Sequence, residues 1–269
     1  MNSNQYEPAT RKTLGRVLLF LLGCALILML VSPHAPRLDL QWSQAVVGLE
    51  ASLATLALTL LFVRWDGIRL ADIGASPRRA SIGRLLLGFA MGLLLVAAQS
   101  GLFALVEHVR WVRSEVTGYA PIVSALAAYL VLACREELAF RGYPLRRLDR
   151  SFGLWTAQLL VALVFALEHR AGGSSWPNAL FGAFVGSLLF GMAALATRGL
   201  ALPIGLHAAW NFGQWVVGEK ETPGLWKPVL AGGPTARADH VALIAYVVVF
   251  GAATLAFWGY RPRFVAATK

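Results

Sequence analysis

The chain has 269 residues, 57% of them hydrophobic and only 14% charged, where an ordinary soluble domain carries about 25% charged residues. Too few charges are present to coat a globule of this size, and a mean hydropathy of +0.61 excludes a soluble helical protein in favour of one embedded in a bilayer. The formal charge of +10 does not point to nucleic acid, because the basic residues stand in short clusters between apolar runs, where they set membrane topology.

A spanning helix needs about 20 apolar residues. Eight candidates follow one another at roughly 14–32, 43–63, 82–106, 120–140, 153–169, 178–197, 201–217 and 240–260. The expected fold is therefore all-α, a polytopic transmembrane helical bundle of about eight spans. The first run follows Arg11 and Lys12 as a signal peptide would, but ends at Ser32-Pro33-His34 without a small-x-small cleavage site, and reads as a span. Cys24 and Cys134 lie inside apolar runs and read as small buried hydrophobes.

Between the second and third runs, Asp66 to Arg79 carries Leu70 and Ile73 among Arg64, Arg69, Arg78 and Arg79, which suits a short interfacial stretch or equally a solvated loop. The fifth and seventh runs are short for full spans and predict helices that tilt or sit deep. Ser174 to Asn178 reads as a turn and helix start with Trp176 at interface level. Residues 218–239, with Pro223, Pro228, Gly232, Gly233 and Pro234, read as the longest irregular loop. The chain divides into N-terminal helices with their linker (1–119), a polar-centred core (120–217), and a loop with a last helix (218–269).

With the N-terminus inside, the inner segments hold 16 basic residues and the outer ones 7, Arg135 lying within a span. That excess predicts both termini on the cytoplasmic side. It also puts Glu136 near the cytoplasmic side and His169 towards the outside, so helices must tilt, break or run deep if the two are to meet.

Polar groups at four-residue spacing interrupt three of these runs. Glu137 and Arg141 share a helix face and predict an ion pair, which leaves Glu136, rotated about 100° away, for another task. His169 follows Phe165 by four residues at the end of the fifth run. His207 and Asn211 share a face of the seventh and offer two donors to a developing oxyanion. Ionisable groups at bilayer depth cost several kcal/mol unless paired or wetted, so they are functional candidates. A carboxylate beside a histidine can hold a water and take its proton. No G-x-S-x-G element and no paired intramembrane aspartates point to another hydrolytic chemistry.

These motifs resemble the CPBP intramembrane protease family, also called Abi, which includes the Rce1-type CAAX prenyl proteases. They stand here as Glu136-Glu137-Leu138-Ala139-Phe140-Arg141, Phe165-Ala166-Leu167-Glu168-His169 and His207-Ala208-Ala209-Trp210-Asn211. Arg141-Gly142-Tyr143-Pro144-Leu145 and Leu202-Pro203-Ile204-Gly205-Leu206 around them are similar too. The resemblance, over about residues 120–217, implies an all-helical membrane endopeptidase. By it Glu136 and His169 activate water, His207 and Asn211 form the oxyanion hole, and Glu137 and Arg141 support the site. Glu136, His169 and His207 are also the donors that a Zn²⁺ ion would use, but there is no H-E-x-x-H helix, and a metal-independent reaction is favoured.

The expected substrate is a membrane-anchored protein or peptide, prenylated or not, with the lipid bilayer as the other partner and no nucleic acid. The expected location is a bacterial cytoplasmic membrane. Two alternatives stay open: a non-catalytic scaffold or immunity factor held together by the same polar cluster, and a proton-coupled transporter in which Glu50, inside the second run, joins Glu136 and the histidines in a relay.

Overall fold

The computed structural model describes residues 7–37, 41–220, 222–230, 233 and 235–266. Each of the eight apolar runs is helical: α1 (Glu7–Val31), α2 (Ser43–Trp65), α3 (Ser81–Glu107), α4 (Ala120–Glu136), α6 (Leu154–Ala171), α7 (Phe184–Thr197), α8 (Ala201–Val216) and α9 (Ala236–Ala266). A further helix, α5 (Tyr143–Phe152), occupies the stretch that hydropathy assigns to a cytoplasmic loop. Two short strands, β1 (Arg110–Arg113) and β2 (Trp226–Val229), pair antiparallel with Arg110 opposite Val229. The strand β2 lies within the stretch read as irregular loop, of which Glu221, Ala231, Gly232 and Pro234 are outside the described residues.

Five stretches are long and apolar enough to cross a membrane: Arg11–His34, Ser43–Trp65, Ser81–Glu107, Asn178–Thr197 and Ala236–Tyr260. Their outer faces expose leucines such as Leu18, Leu53, Leu94 and Leu255, as lipid contact requires. The helices α4, α6 and α8 are outside that set, and they carry the polar motifs. Each of the three packs against at least two neighbours, which shields those groups from hydrocarbon.

The segment after α4 corrects the expectation about depth. α4 does not lead into a loop. It passes through a π-helical turn, Glu137–Gly142, into α5, and the chain reverses only at Gly153, whose φ of +82° a β-carbon would resist. Pro144 has no N–H to give to the carbonyl of Phe140, and the wider π turn absorbs the lost bond. Glu136 thus lies 17 residues before the corner at Gly153, and His169 lies 16 after it. The two line one cavity.

The corner end of this hairpin is fastened by Asp66, at the end of α2. Its buried carboxylate accepts from Tyr143 Oη at 2.8 Å and pairs with Arg147 Nε at 2.8 Å and with Arg16 of α1. Burial, reinforced by that carboxylate, pushes the Tyr143 phenol up. The following linker is not a plain solvated loop. Leu70–Ile73 forms a 3-10 turn whose Ile73 is fully buried in the cluster of Phe20, Phe62 and Tyr143. The Arg69 backbone N–H and guanidinium hold the Asp72 carboxyl below the usual carboxylate range.

The most extensive helix contact joins α3 to α8, and glycines make it. A β-carbon on Gly88 would lie 2.1 Å from the Leu202 carbonyl oxygen, one on Gly92 2.4 Å from that of Leu206, and one on Gly205 2.0 Å from that of Leu85. Gly88 and Gly92 form a G-x-x-x-G pair, which lets two backbones approach in lipid, where no hydrophobic force drives helices together. This contact fixes the depth of α8, and with it His207 and Asn211.

Candidate active site

Two apolar clusters flank the centre of the bundle. One gathers Phe140, Phe165 and Tyr143 against α1 and α2; the other gathers Phe190, Leu206 and Trp210 against α9. Between them, Glu136, His169, His207 and Asn211 line one cavity of about 1360 Å³. All four residues expected to do the chemistry share this space. The cavity runs from mid-bundle to the end at which α7 and α9 begin, where Ser174, Pro177 and Lys220 line it. That end is opposite the start of α1.

His207 is the hub. Its Nδ1 lies 3.0 Å from Glu137 Oε1, and its Nε2 lies 3.6 Å from Glu136 Oε2. The first is a hydrogen bond and the second an ion-pair distance only. Phe190 stacks on the imidazole at 4.2 Å with an interplanar angle of 14°. A ring held on one edge by a carboxylate and on one face by a phenyl has a single orientation, and its second nitrogen points at Glu136. The sequence reading pairs His207 with Asn211 as donors; it does not foresee Glu137 as the group that orients the ring.

Glu137 and Arg141 pair at 3.3 Å, both fully buried, as their spacing predicts. The guanidinium lies 4.4 Å over the Phe165 ring and 5.4 Å from that of Phe190. Its Nε, Nη1 and Nη2 have no hydrogen-bonding partner among the described residues. Coulomb attraction to Glu137 and the electron-rich ring faces hold the charge instead. Phe165, the first residue of its motif, therefore sits between Arg141 and the His169 ring, whose centroid is 4.4 Å away.

His169 Nδ1 lies 3.0 Å from the Phe165 carbonyl oxygen one turn back. A carbonyl only accepts, so Nδ1 is a protonated nitrogen, and the atom left to meet other groups is Nε2. Arg135 and Glu168, the residues just before Glu136 and His169, pair at 2.6 Å. Arg135 is thus directed at α6.

Sequence reasoning passed over three residues here. Glu168 stands beside His169 but off its helix face, and nothing in the sequence points to its partner on α4. Phe190 carries no signal, being one aromatic in an apolar helix. Lys220, whose Nζ donates to Asn211 Oδ1 at 2.8 Å, falls in a stretch with no periodicity. Glu50, the candidate relay carboxylate, pairs with His34 at 2.8 Å on an exposed face.

Among the described residues, no three His, Cys, Asp or Glu groups are gathered closely enough to hold one metal ion. The Phe165 carbonyl and Glu137 engage Nδ1 of His169 and of His207 and leave both Nε2 atoms open, an arrangement that serves a metal ligand as well as a proton-transfer group. As placed, the donors suit proton transfer and hydrogen bonding to an oxyanion.

Residues 118–213 match the family model of type II CAAX prenyl endopeptidase, Rce1-like. The matched stretch runs from just before α4 into α8 and contains every residue of the three motifs. No curated protein matches the chain.

Proposed function

We propose, from a chain whose residues 118–213 form a core of the CAAX-protease type, that it hydrolyses a peptide bond of a membrane-associated substrate with water activated by Glu136 and His169, without a metal. The observation that carries the reading is one cavity lined by Glu136, His169, His207 and Asn211, with the His207 imidazole oriented by Glu137.

In this reading Glu136, helped by the His169 Nε2 lone pair, takes a proton from a water whose oxygen attacks the scissile carbonyl carbon. The carbonyl π electrons move onto its oxygen. With both ring nitrogens protonated, His207 donates from Nε2 to that oxyanion, as the Asn211 amide does, and Glu137 balances the imidazolium charge through Nδ1. The intermediate collapses, the C–N bond breaks, and the proton held by Glu136 goes to the leaving nitrogen. A carboxylic acid and an amine result.

The basic residues favour both termini on the cytoplasmic side. The cavity mouth, at the bundle end opposite the start of α1, then faces the other side. A scaffold or a proton relay is less favoured: a scaffold does not need a cavity beside its polar cluster, and Glu50 lies apart from that cluster.

The test compares wild type with Glu136→Gln in detergent after chelation, on a library of membrane-anchored peptides read by mass spectrometry. Cleavage by wild type alone, indifferent to chelator, is expected. Cleavage that returns only with added Zn²⁺ would shift the reading to a metal mechanism, and equal behaviour of both proteins to a scaffold.

A further inference from the structure

Four arginines gather at the corner end of the bundle, away from the cavity. Arg84, near the start of α3, donates through Nη1 to the Thr197 carbonyl at 2.9 Å. Arg198 is the next residue, in the turn between α7 and α8. The Leu200 N–H of that turn donates to the Gly74 carbonyl at 3.1 Å, which brings up the linker with its Arg78 and Arg79. Arg78, Arg79 and Arg198 are exposed, and Arg84 is partly buried. The acids of this end have other partners: Asp66 has Arg16 and Arg147, and Asp72 has Arg69. Among the described residues, no carboxylate, Asp149 of α5 included, lies within ion-pair distance of the four.

We propose that this arginine cluster binds the phosphate of an anionic phospholipid, whose acyl chains lie along the exposed side of α3.

Arg198 carries the argument. Its φ of +49° is left-handed, at the position just past a helix where glycine is the default. A β-carbon there destabilises the turn. The guanidinium does not recover this as a helix cap, because the carbonyls at the end of α7 are already met. Arg146 donates to Ala194 and Arg84 to Thr197, while Leu195 accepts from the Arg198 backbone N–H, which any residue but proline supplies. The fold thus holds an exposed cation in an unfavourable conformation, with no hydrogen-bonding or ionic partner for its side chain among the described residues. An external anion is the group that would use it. Guanidinium groups suit phosphate, which they bind through two parallel N–H donors.

The surroundings make the anion a lipid. Exposed Trp65 and Trp155 stand at the same end, with Trp258 packed 5.9 Å from Trp155, and such residues mark headgroup level. Just past the arginines on α3, Ile82 and Leu86 lie one turn apart and both are exposed. A phospholipid has the same order, with phosphate at the headgroup and chains beneath it. Free phosphate has nothing to set against the apolar face. The basic excess places this end on the cytoplasmic side, where the leaflet carries anionic lipid.

The test follows melting and lipid retention of the full chain in neutral detergent. Phosphatidylglycerol, phosphatidylcholine and inorganic phosphate are titrated in separately at constant ionic strength, and bound lipid is counted by native mass spectrometry. Phosphatidylglycerol should bind saturably and raise the melting temperature; the other two should do neither. Arg78→Gln with Arg79→Gln, and Arg198→Gly alone, should weaken that binding about fivefold for each arginine removed. Arg198→Gly should also melt a few degrees above wild type without lipid, since glycine accepts the left-handed turn. Arg110→Gln with Arg113→Gln, on β1 at the far end, should leave binding unchanged. A shift with phosphate as large as that with phosphatidylglycerol makes the cluster a site for free anions and overturns the lipid assignment. Equal binding of phosphatidylcholine, or unchanged affinity in the cluster variants, overturns it too. Equal loss in the Arg110 and Arg113 variant reduces the effect to net charge and does the same. So does an Arg198→Gly protein that melts below wild type without lipid, which makes Arg198 a cap of α7.

Discussion

Arg135 on α4 donates to Glu168 on α6 at 2.6 Å, and this ion pair sets Glu136 and His169, the next residue on each helix, at one depth. The pair is a register pin between two helices that run in opposite directions. Arg135 is almost wholly buried and Glu168 mostly so. Removing one partner of such a pair strands a charge and costs about 3–5 kcal/mol, here towards the lower figure because Glu168 keeps some access to water. Arg135→Gln and Glu168→Gln should each lower the melting temperature in detergent and reduce cleavage more than tenfold. The exchange Arg135→Glu with Glu168→Arg should recover part of both, and no recovery would mean that the pair does not set the register.

The buried Glu137 has two partners, Arg141 and His207. Glu137→Gln leaves the guanidinium without its counter-charge and the imidazole without its orienting acceptor. Loss of stability of about 3–5 kcal/mol is expected, together with loss of turnover. Adding Arg141→Met removes the stranded charge, so the double variant should melt closer to wild type yet stay inactive, since His207 is still unfixed. Melting and cleavage measured on the same samples separate these effects. A double variant that regains activity would show that Glu137 does not serve His207.

The α3–α8 contact predicts a contrast among glycines. Gly88→Ala and Gly205→Ala each put a methyl group about 2 Å from a carbonyl oxygen on the facing helix. Backbone must move, which shifts His207 and Asn211. Both variants should fail to fold or lose activity. Gly101→Ala, on the same α3 with nothing within 4 Å of the added carbon, should instead be neutral or stabilising by up to about 1 kcal/mol, the helix propensity difference. Similar melting temperatures for all three would remove the glycine contact as a determinant of the fold.

The class and most of the donors are legible in the residue order. Run lengths and charge spacing gave the helices because lipid forces every backbone group to bond within its own segment. Polar residues in such helices announce themselves, since hydrocarbon makes each one costly. The Glu137–Arg141 pair was legible for the same reason that makes it form: four residues bring side chains to one face. Depth and partners come from the packing of the helices. Hydropathy ended the fourth run at 140, whereas packing against α1, α6 and Asp66 carries the helix on to Phe152, and this is what lets Glu136 and His169 line one cavity. The stacking of Phe190 on His207 and the reach of Lys220 to Asn211 leave no periodic trace. They join residues by contact across helices and loops, and spacing along a chain records only neighbours on one element.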